Sequence, residues 1–253
     1  MSSPFTAAQL SDIRALRDVS QASDVEIVVI GAAALLLQFE NLARYTKDID
    51  VTVALDLEDF EQFTVRLEDA RWKHDLTLEH RWRAPSATIV DLLPAGPKLR
   101  GEGRITWPQS QFSMSLLGFH HVFRQAISIE LEPDVSIKVA PPNVLALLKV
   151  VAYLEDPHRR AKDLDDIQLI LSRYAENSDR LFSDEVFDAQ LSDFGLANAL
   201  LLGSDLRALG TEQEAAIIQG FFERFGTAMP ETNVPIQFAQ QCAAAMAGWK
   251  GRG

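Results

Sequence analysis

Lys47-Asp48-Ile49-Asp50-Val51-Thr52-Val53 decides how this chain is read. Two acids stand two apart at its start, and an alternating apolar run follows. On a β-strand, residues two apart point to one face. Asp48 and Asp50 therefore project side by side, while Ile49 and Val51 face the opposite way. Like charges held that close repel each other unless a cation lies between them. A divalent ion such as Mg²⁺ or Mn²⁺ suits paired carboxylates, which are hard oxygen donors. The plain alternative is an exposed strand whose acids face water. These residues alone leave both readings open.

Working outward, Phe5 to Gln21 repeats Leu10, Ile13, Leu16 and Val19 at helical spacing. Glu26 to Ile30 is a β-branched run that predicts a buried strand. Gly31 follows at once, and then an Ala/Leu-rich helix from Ala32 to Ala43. This order sets helix-start N–H groups beside a strand end, where anions bind. A tight turn with close backbone approach explains Gly31 equally well. Leu57 to Trp72 predicts a helix with Phe60, Phe63, Val65 and Leu67 in the core. Arg81 to Arg83 and Ser86 to Leu93 follow, and the second holds one acid, Asp91, in an apolar run. An unpaired carboxylate is costly to bury. Asp91 therefore stands either at a strand end in water or at one ion with Asp48 and Asp50. Pro94 to Gly103 reads as a loop with Lys98 and Arg100, and Arg104 completes a small basic cluster. Phe112 to Arg124 suits either helix or strand. Ile127 to Leu131 and Val135 to Val139 alternate around a Glu132-Pro133-Asp134 turn.

Beyond Pro141-Pro142 the periodic segments are all helical. Asn143 reads as the N-cap of Val144 to Leu154. Helices are expected over Ala161–Tyr174, Asp184–Phe194, Leu196–Leu209, Thr211–Phe225 and Pro235–Trp249, with a frayed Gly251-Arg252-Gly253 tail. The expected fold class is α/β (α+β): a sheet with flanking helices over residues 1–140, then a helical bundle over residues 141–253. The 253 residues include 47% apolar ones, enough for a substantial core. The net charge of −12 argues against coating nucleic acid by charge alone. Cys242 is the sole cysteine, which excludes a disulfide framework and a thiolate zinc site, and fits a reducing cytoplasm. No signal peptide and no membrane span are expected. The five histidines show no metal-ligand spacing and read as structural.

Val29-Ile30-Gly31, a helix, and Arg44-Tyr45-Thr46-Lys47-Asp48-Ile49-Asp50-Val51 together resemble the opening of minimal nucleotidyltransferases of the DNA polymerase β-like superfamily. More narrowly they resemble the AbiEii-type branch, which includes toxins of toxin–antitoxin systems. The resemblance runs from Glu26 to Leu171. It implies a mixed nucleotidyltransferase-type sheet, with the site in the cleft between the two halves. It implies metal ligation by Asp48, Asp50 and Asp91. It implies nucleotide contacts from Gly31, Ala32, Arg44, Thr46, Lys149, Lys162, Asp163 and Asp166. The implied partners are a nucleoside triphosphate, an RNA, protein or small-molecule acceptor, and an antitoxin protein. The branch has Gly-Gly or Gly-Ser at the turn where this chain has Gly31-Ala32. That departure favours the second reading, a catalytically weak nucleotide-binding or partner-binding module. Plain readings stand beside several of these roles. Lys149 lies in a markedly apolar helix and could be a snorkelling lysine. Asp163, Asp165 and Asp166 suit a helix start through the dipole. Arg44 could merely solvate a turn.

Overall fold

Thr6 opens the first element: its side chain accepts from the Gln9 amide, and the Gln9 side chain accepts from the Thr6 amide. This reciprocal cap starts α1, Ala7–Ala22. The computed structural model describes residues 4–42, 45–133, 135–227 and 235–251. Ala43, Arg44, Asp134 of the expected turn, and Arg252 and Gly253 of the tail lie outside the described residues. The chain divides into two compact units, Met1–Pro141 and Pro142–Gly253.

In the first unit α1 is followed by β1 (Ile27–Ile30), α2 (Gly31–Gln38), β2 (Asp48–Val53), α3 (Leu57–Asp69), β3 (Lys73–His74), β4 (Arg81–Arg83) and β5 (Ile89–Pro94). Then come α4 (Pro97–Glu102), β6 (Arg104–Thr106), β7 (Ser113–Ser115), α5 (Phe119–Gln125), β8 (Ile127–Glu132) and β9 (Val135–Val139). Among the described residues seven strands form a mixed sheet in the order β3-β4-β5-β2-β1-β9-β8, and β6 pairs with β7 separately. The central pair, β1 and β2, is antiparallel, and β2 runs parallel to β5. Every residue of β1 is buried, as its unbroken β-branched run predicts. On β2 the expected alternation appears: Ile49 and Val51 are buried, while Asp48 and Asp50 are half-buried on the other face. The mixed sheet with flanking helices, followed by a helical unit, is the expected fold class.

Several elements differ from expectation. Helix α2 ends at Gln38, and Val65 on α3 is 56% exposed rather than in the core. The expected loop from Pro94 holds α4 instead. Pro97 occupies its first turn, Gly103 closes it at φ +69°, and the distant Asp56 accepts from the Lys98 and Leu99 amides. Only the folded chain supplies that cap. The ambiguous segment splits into β7 and α5, with the left-handed Gly118 at the helix start.

The second unit contains α6 (Pro142–Glu155), α7 (Lys162–Arg173), α8 (Asp184–Asp188), α9 (Ala197–Leu209), α10 (Glu212–Gly226) and α11 (Ile236–Lys250). Asn143 lies inside α6 rather than capping it, because Pro142 already fits a first helical position. The helix expected over Asp184–Phe194 stops at Asp188. Gln190 is left-handed there, and Asp193 accepts from the Gly195 amide to begin a separate 3₁₀ turn. Thr211 and Glu214 form a second reciprocal cap at α10. In the core of this unit Phe225 meets Phe238 edge to face and Phe221 at a tilt, and Tyr153 of α6 packs edge to face on Phe221. Among the described residues no helix is long and apolar enough to cross a membrane.

Helices α9 and α11 approach through two glycines. A Cβ on Gly203 would meet the Ala245 carbonyl oxygen at 1.8 Å, and one on Gly248 would meet the Leu200 oxygen at 1.9 Å. Gly220, exposed on α10, has nothing within 4 Å of such an atom. Gly203→Ala is therefore expected to destabilise the chain by about 1–3 kcal/mol through overpacking. Gly220→Ala is expected to stabilise it by roughly 0.4–1 kcal/mol through lost unfolded-chain freedom. Urea denaturation of the two variants measures both signs.

Candidate active site

The sheet register builds a row of side chains across three strands. Asp50 on β2 pairs with Asp91 on β5, and Asp91 pairs in turn with Arg81 on β4. Directly paired residues in a sheet share a face, and residues two apart on one strand do too. Asp48 thereby joins the same face. Three carboxylates and one guanidinium meet on it.

Arg81 holds this group together. Its Nε donates to Asp91 Oδ1 at 2.8 Å and its Nη2 to Asp91 Oδ2 at 2.7 Å. The same Nη2 reaches Asp48 Oδ2 at 3.3 Å. Such two-pronged, charge-assisted pairs are among the stronger hydrogen bonds. Asp91 is mid-strand and only 7% exposed, so neither the wet strand end nor a metal alone accounts for its burial. The hydrogen bond to Asp91 raises the Arg81 pKa above its ordinary value against the opposing effect of burial, and the charges of Asp91 and Asp48 add to it. His80 Nε2 stands 4.0 Å from Asp91 Oδ2. Sequence reasoning missed Arg81 as a site residue. The hairpin that Ala84 and Thr88 close about Ser86 sets Arg81 opposite Asp91, and the strand register alone reveals that pairing.

Gly31 sits against the same face. It opens α2 at φ +64°, where L residues are strained, and an added Cβ would lie 2.1 Å from Asp50 Oδ2. Ile30, just before it, pairs with Asp50. Ala32 is half-buried in the first turn of α2. Thr46 Oγ1 donates to the Asp48 backbone oxygen at 2.6 Å and lies 3.4 Å from Asp48 Oδ1. Gly31, Thr46, Asp48, Asp50 and Asp91 are thus brought together, while Arg44 lies outside the described residues. The carboxylate oxygens are hard donors of the kind a divalent ion takes, and Arg81 already bridges those of Asp91 and Asp48.

In the second unit, Lys149 of α6 lies between two acids of α7. Its Nζ is 2.7 Å from Asp163 Oδ1 and 2.8 Å from Asp166 Oδ2, and both acids are buried. Burial lowers the Lys149 pKa, but the two carboxylates outweigh it and the net shift is upward. Two of its three N–H donors are committed here. Lys162, first in α7, is exposed. The basic cluster near Asp91 is dispersed among partners. Arg100 donates to the Ala95 oxygen and stacks over Phe123, Arg104 donates to Ser113, and Lys98 faces Glu58.

Residues 14–241 match the family described as nucleotidyl transferase AbiEii toxin, type IV TA system. The chain is a nucleotidyltransferase, and so a transferase enzyme. It belongs to the AbiEii family within that class, as its glycine turn and paired acids suggested. No curated protein matches the sequence. The solved structures that are distantly similar include the following three. One is the antibiotic-resistance factor ANT(2'')-Ia, at 12% identity, 68% of this chain, 88% of that one and a TM-score of 0.42. Another is the lincosamide antibiotic adenylyltransferase LnuA, at 17% identity, 62% of this chain, 96% of that one and a TM-score of 0.39. The third is JHP933 from Helicobacter pylori, at 13% identity, 97% of this chain, 94% of that one and a TM-score of 0.40.

Two outcomes follow from this geometry. Gly31→Ala is expected to cost about 1–3 kcal/mol of backbone strain and to turn the Asp50 carboxylate away, read as a lowered denaturation midpoint. Lys149→Met is expected to cost about 3–5 kcal/mol by leaving two buried carboxylates without their cation. With its folded pKa raised, Lys149 contributes fully below its ordinary value of 10.5, and the contribution fades as pH rises through the folded value. The stability gap between wild type and Lys149→Met should therefore narrow at the alkaline end of a pH series.

Proposed function

We propose that the chain moves a nucleoside monophosphate from a nucleoside triphosphate to an acceptor hydroxyl, with Mg²⁺ or Mn²⁺ held by Asp48, Asp50 and Asp91. One observation carries this reading: Asp91 stands in register beside Asp50, so the three acids share a face. In the reaction, the acceptor hydroxyl gives up its proton to water, its oxygen bonds to the α-phosphorus, the bond from that phosphorus to the α–β bridging oxygen breaks, and pyrophosphate leaves. When bound, divalent ions supply Lewis-acid charge that offsets the triphosphate and lowers the pKa of the acceptor hydroxyl.

The chain's own residues position the reactants. Asp48 and Asp50 hold the donor side, and Asp91 holds the acceptor side. Gly31 and Ala32 offer backbone N–H groups at the start of α2 to phosphate oxygens. Thr46 fixes Asp48 through its backbone oxygen and carboxylate. Arg44 and Lys149 are assigned to the nucleotide's phosphates, Lys162 and Asp163 to ribose, base or phosphate, and Asp166 to the nucleotide. The net charge of −12 favours a protein or small-molecule hydroxyl over an extended RNA as acceptor. The family description supports a toxin role in a toxin–antitoxin system; the antitoxin protein as partner and the cytoplasm as location belong to the same reading.

Incubation with each labelled nucleoside triphosphate, Mg²⁺ and cell extract is expected to label one acceptor. The double variant Asp48→Asn/Asp50→Asn is expected to lose about 100-fold or more, since metal charge stabilisation is worth several kcal/mol. Unchanged labelling by that variant would sink the proposal.

A further inference from the structure

We infer that Arg81 is a resident cation of the acid cluster, which positions Asp91 and limits how tightly a divalent ion is held there. This inference rests on the metal-site reading above and adds a residue that reading does not contain. Each Asp91 carboxylate oxygen accepts one N–H from Arg81, at 2.8 and 2.7 Å. The guanidinium also reaches Asp48 Oδ2. It therefore occupies two of the three acids assigned to the metal.

The strand backbone aims this side chain. The Arg81 amide donates to the Leu78 oxygen, its own oxygen accepts from the Asp75 amide, and the adjoining His80 oxygen accepts from the Leu92 amide. Arg81 is also the register partner of Asp91, so the short cross-strand distance is built into the sheet. Arg83, two residues on, is exposed at the strand end.

Two consequences oppose each other. Without a metal, Arg81 offsets the mutual repulsion of Asp91 and Asp48, both of which it contacts. A metal entering the same face must share Asp91 with the guanidinium or displace it, and it meets a like charge. Arginine stays protonated at every working pH, so this competition is relieved only by movement of the side chain. Arg81 thus acts through Asp91 and Asp48 as a positioning residue.

The test is binding of Mn²⁺ alone, followed by the paramagnetic signal of the free ion, together with thermal midpoints with and without Mn²⁺. Arg81→Gln is expected to bind Mn²⁺ about tenfold more tightly than wild type, because a competing charge is gone. Its midpoint is expected to fall without metal and to recover at saturating Mn²⁺, a recovery that a merely structural arginine would not show. Arg81→Lys keeps the charge but not the fork, and is expected to bind a few-fold more tightly than wild type. It decides the matter if Arg81→Gln does not fold. Equal or weaker binding by the folded variant overturns the inference. Asp48→Asn/Asp50→Asn separates the two levels. If that variant loses Mn²⁺ binding while the Arg81 variants bind like wild type, only the Arg81 inference fails. If wild type binds no Mn²⁺ at all, the metal-site reading fails and takes this inference with it.

Discussion

The pairing of Asp91 with Arg81 on one side and Asp50 on the other is the constraint on which the candidate site depends. A buried carboxylate in an apolar strand is affordable only with a partner. The antiparallel hairpin of β4 and β5 supplies that partner as an arginine. The parallel pairing of β5 with β2 then brings the same carboxylate beside Asp50. One residue thereby links sheet formation to site assembly: a one-residue slip in either register would turn Asp91 to the opposite face.

Gly31 follows from the same geometry. The β1–β2 pairing places Ile30 opposite Asp50, so the chain leaving β1 must pass directly over that carboxylate. A Cβ there would press on the Asp50 side chain, which glycine avoids, and the left-handed backbone of Gly31 turns the strand into α2. The glycine therefore has two functions at once, a steric one toward Asp50 and a conformational one at the start of the helix.

The second unit solves a related problem with the same device. Lys149 serves Asp163 and Asp166 as Arg81 serves Asp91 and Asp48: one cation shared between two acids. The settings differ in what the cation can do. Lys149 lies between two helices, half-buried, with both of its acids buried. Arg81 remains partly open, with a flat fork against acids that face away from the apolar side of the sheet.

The sequence by itself determined the local patterns. The alternation of Asp48-Ile49-Asp50-Val51 declared a strand with acids on one face, the β-branched run before Gly31 declared a buried strand and turn, and the helical periods after Pro142 declared the second unit. These depend on neighbours within a few residues, so they are legible without a fold. Tertiary structure alone decided the rest. The partner of Asp91 depends on strand register, α4 on a cap from Asp56 some forty residues earlier, and the Lys149 triad on how α6 meets α7. In each case the deciding contact is a hydrogen bond or ion pair between residues far apart in the chain or on different elements. Such a contact leaves no periodic trace in the sequence, because its cause is the pairing of elements rather than the spacing of residues.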